Sequence, residues 1–175
     1  MIRMTALMAS VAMALAAPAS AEVVSRSADA FTLRFAVDVE TTPEGVVTAV
    51  SNLPAWWDPA HTYSGQSANL SLTFEDGGCW CERLADGTVF QHAVVTDITA
   101  ERVVMNAPLG PLHGKTTKAE LTFGSDPGNS GRRVSIDFVV EGPGLGVMAD
   151  DVNAVMDQAF ARLIHQIEYG APPQP

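Results

Sequence analysis

Basic residues are scarce in this chain of 175 residues. Ten Lys and Arg face twenty Asp and Glu, for a formal net charge of −10. Apart from the Arg132-Arg133 pair the cations are scattered, so no basic stripe is available for nucleic acid, and anionic membrane surfaces repel the chain for the same reason. Cysteine is almost absent, with only Cys79 and Cys81. The four histidines lack metal-ligand spacing. There is no Ser-His-Asp order, no phosphate-cradling glycine loop and no dinucleotide fingerprint, so the sequence implies neither cofactor nor metal. Internal repeats and low-complexity tracts are lacking too.

Long hydrophobic runs are missing as well, with one short exception at the start. Arg3 is the only charge among residues 1–21, where an apolar run from Ala6 to Ala17 precedes Pro18-Ala19-Ser20-Ala21. This is the pattern of a secretory signal peptide with an Ala-x-Ala cleavage site. The run falls short of the roughly 20 residues that span a bilayer as a helix, so stable membrane insertion is not expected. Cleavage before Glu22 leaves residues 22–175 as a single domain with a formal charge of −11. The protein is then exported, periplasmic or secreted; its oligomeric state is not legible.

Export would place the two cysteines in an oxidising compartment, where a well-placed pair is normally bridged. In a regular strand, residues i and i+2 lie about 6.6 Å apart with parallel Cβ vectors, whereas a disulfide needs Cβ atoms roughly 3.8 Å apart. The spacing therefore favours inert buried thiols. A bridge or a metal-ligand pair remains as an alternative.

What is present is regular patterning. Phe31, Leu33, Phe35, Val37 and Val39 alternate with polar or small residues, which predicts a half-buried strand. Thr41-Thr42-Pro43-Glu44 supplies a helix start, and a short helix is expected to about Val50. Residues 51–68, with Pro54, Pro59 and Gly65 around Trp56-Trp57, read as a loop with a broken second helical turn as its one regular element. Strands resume at Leu70, Leu72 and Phe74, and a hairpin follows that turns at Ala85-Asp86-Gly87-Thr88. A further strand covers about Arg102 to Asn106, and another ends near Phe123. A turn over Ser125 to Gly131 precedes the last, with Val134, Ile136, Phe138 and Val140 inward. The C-terminal segment changes period: Val152, Val155, Met156, Ala159, Phe160, Leu163, Ile164 and Ile167 lay one apolar stripe along a helix that Gly170 ends. An antiparallel meander with one apolar face needs a cover, and this helix is the only element long enough. The expectation is an α+β fold of about six or seven curved antiparallel strands wrapped around a long C-terminal helix, with a short helical segment after strand 1.

Four segments carry a resemblance to a known family. They are Trp56-Trp57-Asp58 followed by His61-Thr62-Tyr63-Ser64-Gly65, then Gly77-Gly78-Cys79-Trp80-Cys81-Glu82, then Leu109-Gly110-Pro111-Leu112, and Ala161-Arg162-Leu163 in the last helix. In this order and spacing the chain resembles the START-like (SRPBCC) superfamily of polyketide cyclase/dehydratase-like proteins, lipid-transfer domains and the activator of the heat-shock protein ATPase, and among these its exported bacterial members. The resemblance implies the helix-grip fold with a ligand cavity between sheet and helix. It says far less about a reaction.

With a three-residue turn, Leu84 pairs with Thr88, Glu82 with Phe90 and Trp80 with His92, so Trp80, Glu82, Leu84, Phe90, His92 and Val94 share one face. A two-residue turn would flip the parity and separate Glu82 from His92. Glu82 and His92 are the candidate catalytic residues, as a general acid and base. Alternatively they anchor the polar end of a ligand, or satisfy one another. The candidate cavity residues are Trp56, Trp57, Trp80, Phe90, His92, Met105, Leu109, Leu112, Phe138, Met156 and Phe160. The leading expectation is a binding protein for a small hydrophobic ligand, lipid- or polyketide-like. A cyclase or dehydratase using Glu82 and His92 is the alternative. A chaperone-activator role is set aside, because that partner is an intracellular ATPase.

Overall fold

A computed structural model describes residues 22–171; the signal-peptide expectation and the prolines after Gly170 lie outside them. Eight strands form one open antiparallel sheet among these residues: β1 (Glu22–Arg26), β2 (Ala30–Val39), β3 (Leu70–Leu72), β4 (Cys79–Arg83), β5 (Val89–Ile98), β6 (Arg102–Asn106), β7 (Lys118–Gly128) and β8 (Gly131–Glu141). Their order across the sheet is β1-β2-β8-β7-β6-β5-β4-β3. Everything after β3 is a meander. The one long excursion runs from β2 to the opposite edge through the helices α1 (Pro43–Ser51) and α2 (Leu53–Trp56). The long helix α3 (Ala149–Tyr169) lies in the concavity.

The local chemistry explains these elements. Thr42 caps α1 through its Oγ1, which accepts from the Gly45 amide at 3.2 Å, and Pro43 takes the first helical position. Gly170 stops α3 in the left-handed region, at φ 68°, where its amide bonds to the Gln166 carbonyl. The alternating residues of β2 and β8 face inward in unbroken register, Phe35 opposite Ile136 and Leu33 opposite Phe138. Ala149, Met156, Ala159, Phe160 and Leu163 bury the α3 stripe against them, and Phe35 meets Phe160 with ring centroids 5.7 Å apart. Each large side chain so buried contributes about 1.5 to 3 kcal/mol.

The architecture is the expected α+β helix grip, with differences in detail. A strand precedes the first one expected, because residues 22–26 pair with β2 although only Val23 of the five is even partly buried. An edge strand with almost no inward face leaves no alternation to read. The last turn is also tighter than Ser125 to Gly131. Strand pairing persists to Gly128↔Gly131, since main-chain pairing continues after the apolar alternation has stopped.

The hairpin holds the most consequential difference. Its turn has three residues, with Leu84 N–H donating to Thr88 O and Gly87 at φ +85°, and Glu82 lies opposite Phe90 as expected. Trp80, however, pairs with Ala93 rather than His92, because the register shifts between Trp80 and Cys81. This β-bulge makes His92 an extra residue in β5. His92 and Ala93 are both buried as a result, and Val94, expected inward, moves to the row opposite Cys79.

The same irregularity overturns the expectation for the cysteines. Cys79 and Cys81 are disulfide-bonded. Where β5 carries an extra residue, β4 is contracted: the Cys79 and Cys81 Cα atoms are 5.3 Å apart, shorter than two residues of regular strand and inside the range disulfides adopt. The argument from a regular strand fails because this strand is not regular. The bridge lies on the outer face, behind Trp80.

Candidate functional site

A cavity of about 700 Å³ opens between the sheet and the first half of α3, a size typical of small-molecule sites. Trp80, His92 and Phe138 supply the sheet wall, and Asp151, Val152, Val155 and Met156 supply the helix wall, with Met148 just before it. Residues 60–63 beside Trp57 form one rim, and Leu109, Gly110, Pro111 and Leu112 form the other.

The aromatic wall is built in two layers. Trp56 is completely buried and donates its indole N–H to the Val50 carbonyl at 3.2 Å. Trp57 and Trp80 stand edge to face in front of it, with centroids 4.7 Å apart at 87°, a favourable aromatic geometry. Arg162 on α3 donates to the Trp56 carbonyl at 2.7 Å and ties the layer to the long helix. Trp57 bonds to the His61 carbonyl, and Asp58 caps the next turn by accepting from the Ala60 amide at 2.8 Å. These contacts fix the rim loop from both ends.

Glu82 and His92 meet inside this frame. His92 Nε2 lies 2.7 Å from Glu82 Oε2, with both side chains buried. The carboxylate also accepts the Tyr63 amide at 3.1 Å and the Ser64 amide. Burial alone would raise the Glu82 carboxyl, but the hydrogen bonds from Ser64, Tyr63 and His92 outweigh it and hold the group below the ordinary carboxylate range. For His92 burial is the larger effect and lowers the imidazole below its ordinary value, against the opposing pull of Glu82. The pair therefore rests as carboxylate and neutral imidazole. Glu82 is sealed beneath residues 63 and 64, and only His92 reaches the cavity wall.

Of the residues predicted to line the cavity, Trp57, Trp80, His92, Leu109, Leu112, Phe138 and Met156 do so. Trp56, Met105 and Phe160 do not. Each is at most 1% exposed, in solid core behind the wall or under the second half of α3, where helix and sheet close on one another. Phe90 is also outside the wall, because the Tyr63 ring packs edge-on against it at 4.7 Å and occupies the space it would have faced. Glu82, a candidate acid, has no face on the cavity. The sequence reading missed Tyr63, the other rim residues 60–62, Gly110 and Pro111 on the opposite rim, and Met148, Asp151, Val152 and Val155 on the helix side. Val152 and Val155 belong to the predicted apolar stripe, whose first turns line the cavity instead of filling the core. Among the described residues no three His, Cys, Asp or Glu side chains converge as a metal site, and no helix is long and apolar enough to cross a membrane.

An antiparallel sheet curved around a C-terminal helix, with a ligand-sized space between them, defines the START/polyketide cyclase-like fold. Solved structures share it. CalU16 from Micromonospora echinospora is similar with a TM-score of 0.57 at 12% identity, over 90% of this chain and 88% of that one. An uncharacterized protein from Rhizobium leguminosarum gives 0.55 at 19%, over 82% and 98%. The di-domain ARO/CYC BexL from the BE-7585A biosynthetic pathway gives 0.53 at 16%, over 85% of this chain and 52% of that one. No family model and no curated protein sequence matches the chain. At these identities the likeness establishes the fold and leaves activity open.

Proposed function

We propose that this protein binds a small hydrophobic molecule, lipid- or polyketide-like, in the cavity between Trp57, Trp80 and the first turns of α3. The observation that carries the reading is the cavity itself: about 700 Å³, walled by Trp57, Trp80, Leu109, Leu112, Phe138 and Met156, with few polar groups facing in. That composition suits a ligand held by apolar contact and oriented by one or two hydrogen bonds. The solved neighbours support it at the level of the fold, since they include an ARO/CYC protein of a biosynthetic pathway. Native mass spectrometry with organic extraction of the purified protein tests the reading. A retained apolar molecule is expected; a clean extract together with no saturable uptake of an apolar fluorophore would overturn it.

A second reading is an enzyme of the cyclase or dehydratase type. One observation favours it: a neutral imidazole on the cavity wall, backed by a buried carboxylate, is the arrangement of a general base with a positioning partner. In this reading His92 touches the substrate and Glu82 only orients it. Conversion of the extracted ligand by wild-type protein, lost in His92→Phe, would establish turnover.

The same proposal includes export to the periplasm or beyond. The N-terminal pattern supports it, and the Cys79–Cys81 bridge suits an oxidising compartment. Intact-mass analysis of periplasmic protein should find Glu22 at the N-terminus, whereas a mature chain beginning at Met1 counts against export.

A further inference from the structure

From the one wall imidazole that a buried carboxylate holds, we infer that the preferred ligand is an uncharged molecule carrying a hydroxyl group, donated to His92 Nδ1, and that the pocket discriminates against carboxylates. The inference rests on the binding function proposed above and names the chemistry of its ligand.

The argument begins at Glu82. Its two oxygens receive the amides of Tyr63 and Ser64, and Oε2 also lies 2.7 Å from His92 Nε2. A carboxylate in that position only accepts, so Nε2 must carry the hydrogen. A neutral imidazole has one N–H, which leaves Nδ1 as a bare acceptor. Burial supports the neutral form by holding the imidazole below its ordinary value. Among the described residues nothing donates to Nδ1, yet it is not among the sealed, unpartnered side-chain atoms, which are Asn153 Oδ1 and Gln166 Oε1. His92 as a whole is 6% exposed and lines the cavity. An acceptor so placed is best satisfied by a ligand O–H or N–H, and a ligand without one leaves it dry and unpaired.

The rest of the wall decides the charge. It carries no Lys or Arg; Asp151 is its one acidic side chain, and His61 and Tyr63 are the other titratable groups. The N-terminus of α3 nearby would by itself attract an anion. Asp150 and Asp151 already occupy its first turn, and Asp150 pairs with Arg26. A ligand carboxylate would therefore enter facing Asp151 and the Nδ1 lone pair, with no cation to meet it. An alcohol or phenol meets neither obstacle.

Isothermal titration of the wild-type protein at pH 7.5 with 2-naphthol, 2-methoxynaphthalene and 2-naphthoate tests this, because the three share one apolar frame. The naphthol is expected to bind about five- to a hundred-fold more tightly than the ether, and the carboxylate most weakly. In His92→Phe the advantage of the naphthol over the ether should collapse to about onefold, with a cooperative thermal melt as the control for folding. Equal affinity of naphthol and ether, or a preference for the carboxylate, overturns the inference and leaves the binding function standing. If none of the three binds while an apolar fluorophore does, the pocket rejects small hydroxylated aromatics and the inference falls alone. If the fluorophore also fails and the organic extract is clean, both fall.

Discussion

The two halves of the sheet are built differently. From β2 through β8 to β7 the ladders run without a shift, ten consecutive pairs on one side of β8 and eleven on the other. From β6 through β5 to β3 the strands are mostly short, and the register slips twice, at Trp80/Cys81 and again at Val95/Asp97. The regular half carries Phe31, Leu33, Phe35, Ile136 and Val140 into a solid core under α3. The irregular half holds Glu82 and His92, two of the three buried polar residues among those described. A regular ladder closes space, because every second side chain points at the helix. A bulge breaks that rhythm and puts two neighbouring residues, His92 and Ala93, on the buried side.

Replacing Phe35 by Ala should have the largest effect and break only the regular half. Phe35 is fully buried against Phe160, and such truncations cost about 3 to 5 kcal/mol, a large part of a typical stability of roughly 5 to 15. Urea unfolding should show that loss, while a fluorophore titration on the remaining folded protein keeps its affinity. A parallel fall in affinity would mean that core and cavity are one unit.

Glu82→Gln should remove about 1.5 to 3 kcal/mol, as expected when a charged, buried acceptor is lost. Its signature is in the pH dependence. The folded chain holds the Glu82 carboxyl below its ordinary 4.5 and the His92 imidazole below its ordinary 6.5. The unfolded chain therefore takes up both protons first, and stability falls as pH drops below 6.5 and again below 4.5. In the variant the difference from wild type should shrink below pH 4.5, with the limb near 6.5 retained. Parallel curves across the whole range would mean that Glu82 is not ionised in the fold.

The tryptophans give a smaller and sharper contrast. Trp57→Phe and Trp80→Phe should each weaken an apolar ligand by about 0.5 to 1.5 kcal/mol and reduce ligand-induced quenching of emission. Trp56→Phe, one residue away but behind the wall, should lower stability and leave affinity unchanged. Equal effects of Trp56 and Trp57 on binding would erase the distinction between the layers.

The same contrast explains what was legible in the sequence. Alternation over Phe31 to Val39 and Val134 to Val140, and the stripe from Val152 to Ile167, foretold the strands and the helix, because regular elements write their faces into the chain. The family resemblance added the cavity between sheet and helix, whereas the crossing from β2 to the opposite edge of the sheet was not read from the chain. Parity was right for Glu82 opposite Phe90 and failed two residues later, since an inserted bulge residue leaves no mark in composition. Hence Val94 was placed on the wrong face, and the contraction that lets Cys79 reach Cys81 went unseen. Trp56 and Trp57 are neighbours in a turn, where periodicity does not tell the wall from the layer behind it. Phe160 and Met156 share one stripe, and only the taper between helix and sheet separates core from cavity.

The disulfide has a consequence in chain entropy. A cross-link restrains the unfolded chain in proportion to the logarithm of the loop it closes, and the loop from Cys79 to Cys81 encloses a single residue, Trp80. By that relation it contributes roughly 1.5 kcal/mol to the whole fold, about half of what a loop of 15 residues gives. Its influence is local: it restricts the backbone that carries Trp80 and leads into Glu82, opposite the extra residue in β5. Reduction, or the double substitution Cys79→Ser and Cys81→Ser, should move the melting temperature by only a few degrees. It should also widen the amide exchange of residues 80–82 and 91–93 and leave β2 and β8 protected. Exchange that rises evenly across the sheet would show that the link restrains the fold as a whole. A cross-link this small is a device for one tryptophan.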